Sequence, residues 1–337
     1  MSKVSIIIVN WNGRKHLESC LGSIYRQTYL SYEVIMVDND SRDDSIEFVA
    51  KRYPTVRIIK LDRNRGFAGG NIEGLNHARG KYIALLNNDA VLTERWMEYM
   101  ISAIESSESI GLCSSKIVIA ETNKIDSAGD CFTTAFNGTK VGEYDDDRNY
   151  SVRRYVQGAC AAAVMYKRAL LDQIGFYDDD FFFNHEDTDL NIRAWLAGWK
   201  CLFVPEAVVY HKVSASLGTF NDLSVYYFSR NTEWVWLKNM PFKLMIRYLP
   251  QRLIYELASF GYFCILKRKY RPFLRGKFHA LLQLRKMLNK RRAIQKLVRL
   301  SERQIASELM PISKYIVLRL RNSQRSEYTV NRNGDLL

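Results

Sequence analysis

The chain lacks the features by which several common protein classes are recognised. Its six cysteines are widely spaced and form no CxxC pair, which argues against a zinc ribbon and favours reduced thiols in the cytosol. No window reaches about 18 uncharged apolar residues and no secretory signal is apparent, so we expect no membrane-spanning helix. Internal repeats and RNA-binding or helix-turn-helix motifs are also missing, and we expect no nucleic-acid partner.

Charge is present but unevenly placed along the 337 residues, whose formal net charge is +13. Residues 221–337 hold 24 Lys and Arg against 7 Asp and Glu, whereas residues 1–220 hold 25 against 29. This distribution predicts a near-neutral body followed by a basic appendage with an anionic partner.

The first 90 residues alternate strand and helix signals. Four apolar runs read as buried strands, separated by stretches with helical spacing: Val4–Val9, Glu33–Val37, Val56–Leu61 and Tyr82–Leu86. The pattern predicts an α/β domain with a mostly parallel sheet flanked by helices. Ligands of such sheets bind beyond the carboxyl ends of the strands, where the polar clusters 10–12, 38–41 and 87–89 fall. Later in the chain, Lys200–Val204 and Ala207–Tyr210 read as two strands.

Three separated polar groups carry candidate chemistry. Asn87-Asn88-Asp89 follows a strand, and Asp89 is a hard oxygen ligand suited to Mg²⁺ or Mn²⁺. His211 follows another apolar run and can be a second ligand. Glu186-Asp187-Thr188-Asp189 begins an amphipathic stretch and can supply a general base. The alternatives are a turn after the strand, a structural histidine and acidic residues that favour a helix N-terminus.

Two further loops can contact a nucleotide. In Asp38-Asn39-Asp40-Ser41, a carboxylate can accept a hydrogen bond from the imide N–H of uracil or thymine; otherwise the segment caps the next helix. The segment Asn64–Asn71 lacks GxGxxG spacing, but its glycines allow a ligand to approach the backbone at a helix N-terminus. A flexible turn is the simpler interpretation of that segment.

Beyond residue 221 the pattern becomes helical, aromatic and basic, with apolar stretches at Phe242–Leu249 and Leu253–Leu266. Interleaved Trp, Tyr, Phe, Leu and Lys/Arg fit an interfacial membrane helix best, with a plain basic bundle or a nucleic-acid surface as alternatives. We therefore predict a catalytic domain at 1–220, a membrane-associating helical region at 221–322 and a disordered tail at 323–337.

Together these motifs resemble the inverting, nucleotide-sugar-dependent glycosyltransferases of family 2, which have a GT-A fold, and within them the bacterial rhamnosyltransferase-like branch. The resemblance covers roughly residues 3–215. The matching pieces, in family order, are Val9–Gly13, Val37–Ser41, Asn64–Asn71, Leu86–Asp89, Gly158, Glu186–Asp189 with Arg193 and Gly198, His211, and Arg230-Asn231. Asn87 stands where the family has the first carboxylate of its DxD motif, and Asn184 stands where an aromatic is often found.

The resemblance implies a role for each matching residue. Asp187 would be the catalytic base with Glu186 in support, and Asp89 and His211 would bind Mg²⁺ or Mn²⁺. The nucleotide sugar would be bound by Asn10, Asn12, Asp38, Asn39, Gly66, Asn71, Asn87 and Asn88.

The implied reaction moves a sugar, L-rhamnose from dTDP-L-rhamnose or a hexose from a UDP-hexose, to a hydroxyl of a lipid-linked or growing cell-surface glycan. It would take place on the inner face of the cell membrane, where the protein would be peripheral. A sugar nucleotidyltransferase or a non-catalytic basic scaffold are the rival classes.

Overall fold

The computed structural model describes residues 3–212 and 221–333, which form an α/β body and a C-terminal set of helices. All six cysteines are free, and three of them are buried. The strands are β1 (Val4–Asn10), β2 (Tyr32–Asp38), β3 (Arg57–Lys60), β4 (Tyr82–Leu86), β5 (Ala90–Leu92), β6 (Ile110–Ile119), β7 (Ile125–Ser127), β8 (Asp130–Phe132), β9 (Gly138–Lys140), β10 (Arg154–Val156), β11 (Ala163–Lys167) and β12 (Lys200–His211).

The helices of the α/β body cover the sheet, and those of the C-terminal part follow one another in sequence. They are α1 (Arg14–Tyr25), α2 (Ser45–Arg52), α3 (Gly66–His77), α4 (Trp96–Glu105), α5 (Arg168–Ile174), α6 (Glu186–Leu196), α7 (Asp222–Asn239), α8 (Phe242–Phe260), α9 (Tyr270–Leu282), α10 (Leu284–Gln295), α11 (Glu302–Glu308) and α12 (Ile312–Asn333). A π-helical segment, 261–266, joins the end of α8 to the approach to α9.

The central sheet has the strand order β10-β12-β6-β11-β4-β1-β2-β3, with parallel pairing from β4 to β3 and between β6 and β12. The predicted mostly parallel α/β sheet is confirmed. Strand β1 is buried almost throughout, as its continuous apolar run predicts for a strand covered on both faces. The parallel strands β1, β2 and β4 therefore end at the same edge, directly before Trp11, Asn39 and Asn87.

Strand β12 corrects the prediction of two late strands. One strand runs through Lys200–His211, and its register against β6 shifts between Val204 and Val208. Pro205 lies in that irregularity, where the ladder needs no backbone N–H, so the proline interrupts the sequence pattern without ending the strand. His211 is the last residue of β12 rather than a residue beyond it.

Helix α8 corrects a second boundary, because it continues through Pro250 to Phe260 instead of stopping at Leu249. The C-terminal helices also share a core with the α/β body. Trp234 and Leu244 pack in one buried cluster with Phe132 and Phe181 of the body.

Helix α12 extends into the segment expected to be a disordered tail. It runs to Asn333, and its basic face meets the acidic loop after β9. Arg319 and Asn322 each place a nitrogen 3.0 Å from Glu143 Oε2. These contacts give the helix a partner that its polar composition does not reveal, while residues 334–337 lie outside the described ranges.

We predict that Gly276→Ala destabilises the contact between α7 and α9. A Cβ at position 276 would lie 1.9 Å from Ser229 Oγ and 2.5 Å from the carbonyl oxygen of Tyr226. Overpacking of this kind costs about 1–3 kcal/mol and would lower the midpoint of chemical unfolding. Gly261→Ala is the matched control, because no atom lies within 4 Å of its added Cβ. If both variants unfold at the same denaturant concentration, the close helix contact is wrong.

Candidate active site

The carboxyl ends of β1, β2 and β4 bring predicted nucleotide-binding side chains together. Asn10 and Asp38 are register partners at the last residues of β1 and β2. Asn10 Nδ2 donates to Asp38 Oδ1 at 3.4 Å, and Asn88 Nδ2 donates to Asn10 Oδ1 at 2.9 Å. All three side chains are buried. They form one hydrogen-bonded group at the edge of the sheet.

The loops after β1 and β2 are tied to each other. Ser41 N–H donates to Asp38 Oδ2 at 3.0 Å, and Ser41 Oγ accepts from the backbone N–H of Asn12 at 2.9 Å. Asn12 Oδ1 in turn accepts from Arg42 N–H at 2.7 Å. Asn12 remains exposed at the surface of this group, with φ 50°.

Asn39 and Asn71 use their amides within the protein. Asn39 Nδ2 donates to the carbonyl of Gly66 at 2.9 Å, and Asn39 Oδ1 accepts from Arg65 N–H at 2.8 Å. Asn71 Nδ2 donates to the carbonyl of Phe67 at 2.9 Å. Both side chains thus hold the glycine-rich segment in place, and their direct contact with a nucleotide stays a prediction.

Gly66 makes the closest approach between this segment and the loop before α6. Its φ is +72°, and a Cβ there would lie 2.3 Å from the carbonyl oxygen of Phe182. The same carbonyl accepts from Ala68 N–H at 2.9 Å. Only glycine suits this position, because both the backbone conformation and the space exclude a side chain.

A strained turn leads into α6. Phe182 has φ 65° and ψ −67°, and Phe183 N–H donates to the carbonyl of Phe181 at 2.8 Å. This is the rare form of the γ-turn. Asn184 and His185 follow with φ 66° and 70°. Such conformations persist only where surrounding contacts enforce them.

Asn231 of α7 supplies that enforcement. Its Nδ2 donates to the carbonyls of Phe181, Phe183 and Asn184 at 3.0, 2.9 and 2.7 Å. Arg230 adds a bond from Nη2 to the carbonyl of Phe181 at 3.0 Å. Together with the Ala68 contact, these bonds satisfy every carbonyl from Phe181 to Asn184.

Asp89 and His211 lie side by side. His211 Nε2 is 3.3 Å from Asp89 Oδ1 and 3.3 Å from Asn87 Nδ2, while His211 Nδ1 is 2.9 Å from Asp126 Oδ2. Burial alone would lower the pKa of His211, but hydrogen bonds to Asp126 and Asp89 raise it to about 9. The imidazole is therefore protonated at neutral pH, and a cation that binds there must displace the proton.

Asp187, the second residue of α6, is held by backbone donors. Thr188 N–H donates to Asp187 Oδ1 at 2.7 Å, and the backbone of Ala161 makes a second bond. Burial raises the pKa of Asp187, and these bonds only partly offset that rise. A carboxylate with a raised pKa suits a general base near neutral pH.

Glu186 occupies a different environment from its neighbour. It is buried, and its Oε2 has no hydrogen-bond partner. Burial and the charge of Asp187 raise the pKa of Glu186 well above its ordinary value. A sealed carboxyl fits support of Asp187 better than contact with a substrate.

The three predicted groups meet at one rim of the sheet. Asn87 N–H donates to the carbonyl of Ala162 at 2.9 Å, while the adjacent Ala161 bonds Asp187. His211 is the register partner of Ala90, the residue after Asp89. The segment before β11 therefore lies between the Asp89–His211 pair and Asp187.

Sequence reasoning missed three charged residues of this rim: Asp126, Asp130 and Lys140. Lys140 pairs with Asp126, which also contacts His211. Although burial opposes the charged form of Asp126, Lys140 and His211 hold its pKa well below the usual range. Asp126 and Asp130 lie in short strands with no recognisable periodicity, and the only available signal was a pair of carboxylates four residues apart in an otherwise apolar segment.

Comparison with known sequences decides the family. The model described as "Glycosyl transferase family 2" matches residues 5–175, just over half of the chain. The chain belongs to glycosyltransferase family 2.

Individual relatives of this family 2 glycosyltransferase are distant. The "Uncharacterized glycosyltransferase YwdF" of Bacillus subtilis strain 168 is 31% identical over 194 residues, which cover 57% of this chain and 68% of that protein. The "N-acetylglucosaminyl-diphospho-decaprenol L-rhamnosyltransferase" of Mycobacterium tuberculosis H37Rv is 23% identical over 236 residues, covering 63% and 77%.

Solved structures of similar fold are GT-A glycosyltransferases, and the predicted GT-A fold is confirmed. GalNAc-T7 with UDP, GalNAc and Mn²⁺ superposes with a TM-score of 0.57 at 17% identity, over 70% of this chain and 47% of that one. Residues 1–349 of Staphylococcus aureus TarS superpose with a TM-score of 0.52 at 15% identity, over 87% and 90%. At these identities the likeness shows the fold alone.

Asp89 and His211 fit a divalent cation by their chemistry. They offer a hard oxygen and an imidazole nitrogen, and the other ring nitrogen is fixed by a carboxylate, as is usual for metal-binding histidines. Within residues 3–212 and 221–333, no group of three or more His, Cys, Asp or Glu side chains is arranged to hold a metal ion. Asp89 and His211 would be two ligands of such a cation, and a bound nucleotide diphosphate or water would supply the rest.

We predict that Asn231→Ala lowers both stability and turnover. Removal of the amide leaves the carbonyls of Phe183 and Asn184 without their donor, which costs about 1–3 kcal/mol, and lets the loop before Asp187 relax. Thermal unfolding and the rate of glycosyl transfer would measure the two effects. Asn149→Ala, at an exposed site, is the control. Unchanged turnover in Asn231→Ala would contradict the role given to the turn.

Proposed function

We propose that this family 2 glycosyltransferase inverts the anomeric configuration of a sugar as it transfers it from a nucleotide donor to an acceptor hydroxyl. The observation that carries the proposal is the meeting of Asp187 with Asp89 and His211 at one rim, beside the Asn10–Asp38–Asn88 group. A base and a cation site flank the place where a nucleotide sugar would bind.

The reaction is a single displacement. Asp187 takes the proton of the acceptor hydroxyl, whose oxygen attacks the anomeric carbon from the face opposite the nucleotide. The bond from that carbon to the diphosphate oxygen breaks, and the nucleoside diphosphate leaves with the electron pair. When bound at Asp89 and His211, Mg²⁺ or Mn²⁺ would supply positive charge that stabilises the departing diphosphate.

The nucleotide side fits a pyrimidine donor. Asp38 presents a buried carboxylate that can accept from the imide N–H shared by thymine and uracil, and Asn10 holds it in place. The relative named as an L-rhamnosyltransferase favours dTDP-L-rhamnose as the donor. A UDP-hexose is the alternative, since the carboxylate of Asp38 could accept from uracil as well as from thymine. A sugar nucleotidyltransferase is less well supported, and it would release pyrophosphate.

A thermal-shift screen of nucleotide sugars with Mg²⁺ and Mn²⁺ tests the donor. A ligand at 100 times its Kd stabilises the folded state by about 2.7 kcal/mol, which gives a clear rise in the unfolding midpoint. We expect the largest rise with a dTDP- or UDP-sugar and a divalent cation. No shift with any pyrimidine nucleotide sugar would contradict the proposed donor class.

We predict that Asp187→Asn removes turnover and keeps nucleotide binding. The amide has nearly the same shape but cannot take the proton, and a general base contributes roughly 10²–10⁴-fold to the rate. Steady-state transfer rates and the nucleotide-induced thermal shift measure the two properties. Asp172→Asn, at an exposed site away from the rim, is the control. An active Asp187→Asn would end the assignment of the base.

The acceptor side of the proposal rests on the C-terminal helices. Exposed apolar residues recur at helical spacing along α8 and α9, and exposed Ile265 and Leu266 join them. We name these two exposed rows the apolar stripes: Phe242, Ile246, Leu249, Leu253, Leu257 and Phe260 on α8, and Tyr270, Leu274, Phe278 and Leu281 on α9. No helix among the described residues has the length and apolar character needed to cross a bilayer.

The basic residues around the apolar stripes favour an anionic lipid surface as their partner. Between residues 242 and 288 the one acidic side chain is Glu256, which pairs with Arg252 and Lys277. Exposed basic residues flank the stripes: Lys243, Arg247, Arg268, Arg271 and Arg275. A second copy of this surface would bring like charges together, whereas an anionic leaflet attracts each basic residue by about 1 kcal/mol. We therefore propose that the enzyme acts on a lipid-linked or growing cell-surface glycan at the cytoplasmic membrane face.

We predict that Leu257→Glu weakens binding to vesicles that contain anionic phospholipid. Leu257 is 72% exposed, and insertion of such a side chain contributes about 1.5–3 kcal/mol. Its replacement by Glu would lower the vesicle-bound fraction in cosedimentation by roughly tenfold or more. Val152→Glu is the matched control, because Val152 is also 72% exposed but lies outside the C-terminal helices. Equal losses in both variants, or equal binding to neutral vesicles, would contradict a specific membrane surface.

A further inference from the structure

Asp130 is a buried carboxylate without a partner. It begins β8, and its backbone pairs with Gly158, but its side chain makes no hydrogen bond or ion pair within the described part of the chain. The residue keeps 8% of its surface exposed, so the carboxylate is nearly enclosed but still reachable. A carboxylate held this way is costly, since burial removes water and nothing in the protein replaces it.

Neighbouring carboxylates of the rim are satisfied. Asp126 pairs with Lys140 and His211, and Asp187 accepts from two backbone N–H groups. Asp130 and Glu186 are the exceptions, but the unpaired oxygen of Glu186 is sealed from solvent. Burial, followed by the charge of Asp187, raises the pKa of Asp130 to about 8. The backbone also places Asp130 beside α6, since Asp130 N–H donates to the carbonyl of Gly158 at 2.8 Å and the next carbonyl, that of Ala159, accepts from Asn191 Nδ2, one helical turn after Asp187, at 2.8 Å.

The missing partner has a restricted chemistry. The nucleotide group Asn10–Asp38–Asn88 lies at the ends of β1, β2 and β4, and Asp130 makes no hydrogen bond to it. A neutral group that donates hydrogen bonds satisfies a carboxylate without introducing charge. Sugar hydroxyls have this property, and the acceptor brings several of them to Asp187.

We propose that Asp130 accepts a hydrogen bond from a hydroxyl of the acceptor sugar, and so positions the reacting hydroxyl at Asp187. This inference rests on the proposed function and extends it to acceptor recognition. Asp130 supplies binding and orientation, while the proton is taken by Asp187. A protein that tolerates an unpaired carboxylate here gives up stability in exchange for a site that is completed only when the acceptor binds.

The test is Asp130→Asn, with Asp172→Asn as the exposed control. The donor is the nucleotide sugar that gives the largest thermal shift, and the acceptor probes are alkyl glycosides presented in detergent micelles. We expect the KM for the glycoside to rise roughly tenfold or more at pH 9, where the carboxyl of Asp130 is ionised, since a hydrogen bond to a charged group is lost. The KM for the nucleotide sugar should stay within about twofold, because Asp130 makes no contact with the Asn10–Asp38–Asn88 group.

Stability gives a second readout that does not depend on the acceptor. Since the pKa of Asp130 lies above its value of about 3.9 in an unfolded chain, the wild-type protein loses stability as the pH rises from about 4 to about 8. Asp130→Asn should therefore raise the thermal midpoint, by about 2–4 °C at pH 8 and by less at pH 5. The charged groups that act on Asp130 are Asp187, Lys140, Asp126 and Glu143.

The outcomes separate the two proposals. A wild-type enzyme that turns over no nucleotide sugar contradicts the proposed function, and no variant is needed to see this. An active wild type whose Asp130→Asn variant keeps its KM for the glycoside contradicts acceptor binding by Asp130. A lower thermal midpoint in that variant also overturns the inference, because it would mean that the carboxylate has a structural partner in the protein.

Discussion

The turn Phe181–Asn184 is the constraint on which the site depends. Its carbonyls are shared between two distant parts of the chain, since Ala68 at the start of α3 binds one and Asn231 of α7 binds three. The strained backbone is stable only because all of these donors are in place. The nucleotide side, the base and the C-terminal helices are therefore fixed relative to one another by a few main-chain oxygens, rather than by the sheet alone.

Electrostatics shape the rest of the rim. Asp89, His211, Asp126 and Lys140 form a row of alternating charge, in which each group stabilises the ionised form of the next. The row starts at the end of β4 and ends in β9. Positive and negative side chains are thus paired where a diphosphate would arrive. Glu186 and Asp130 belong to the same polar region but form no ion pair within the described residues.

Much of the fold followed from local pattern. Tyr82–Leu86 was predicted with its observed bounds, because five buried apolar residues end at a polar turn. The predictions failed where tertiary contacts override the pattern. Strand β6 was not recognised, because Ser115 and Lys116 interrupt its apolar run. In the structure Trp96 Nε1 donates to Ser115 Oγ at 2.9 Å, and Lys116 lies 3.5 Å from Asp147. Residues 89 and 211 were predicted to follow apolar strands and residue 187 to begin an amphipathic stretch, but the contribution of Asp126 and Asp130 depends on a loop path that no periodicity encodes.

The attachment of Asn231 to the turn has a mechanical consequence. Helix α7 shares a buried core with α8, the helix that carries one apolar stripe. A displacement of the C-terminal helices would therefore reach the main chain beside Asp187 through Asn231. A displacement of α7 would take the donor away from the carbonyls of Phe183 and Asn184 together. The proposed membrane surface and the loop before Asp187 are thereby connected through one side chain, Asn231.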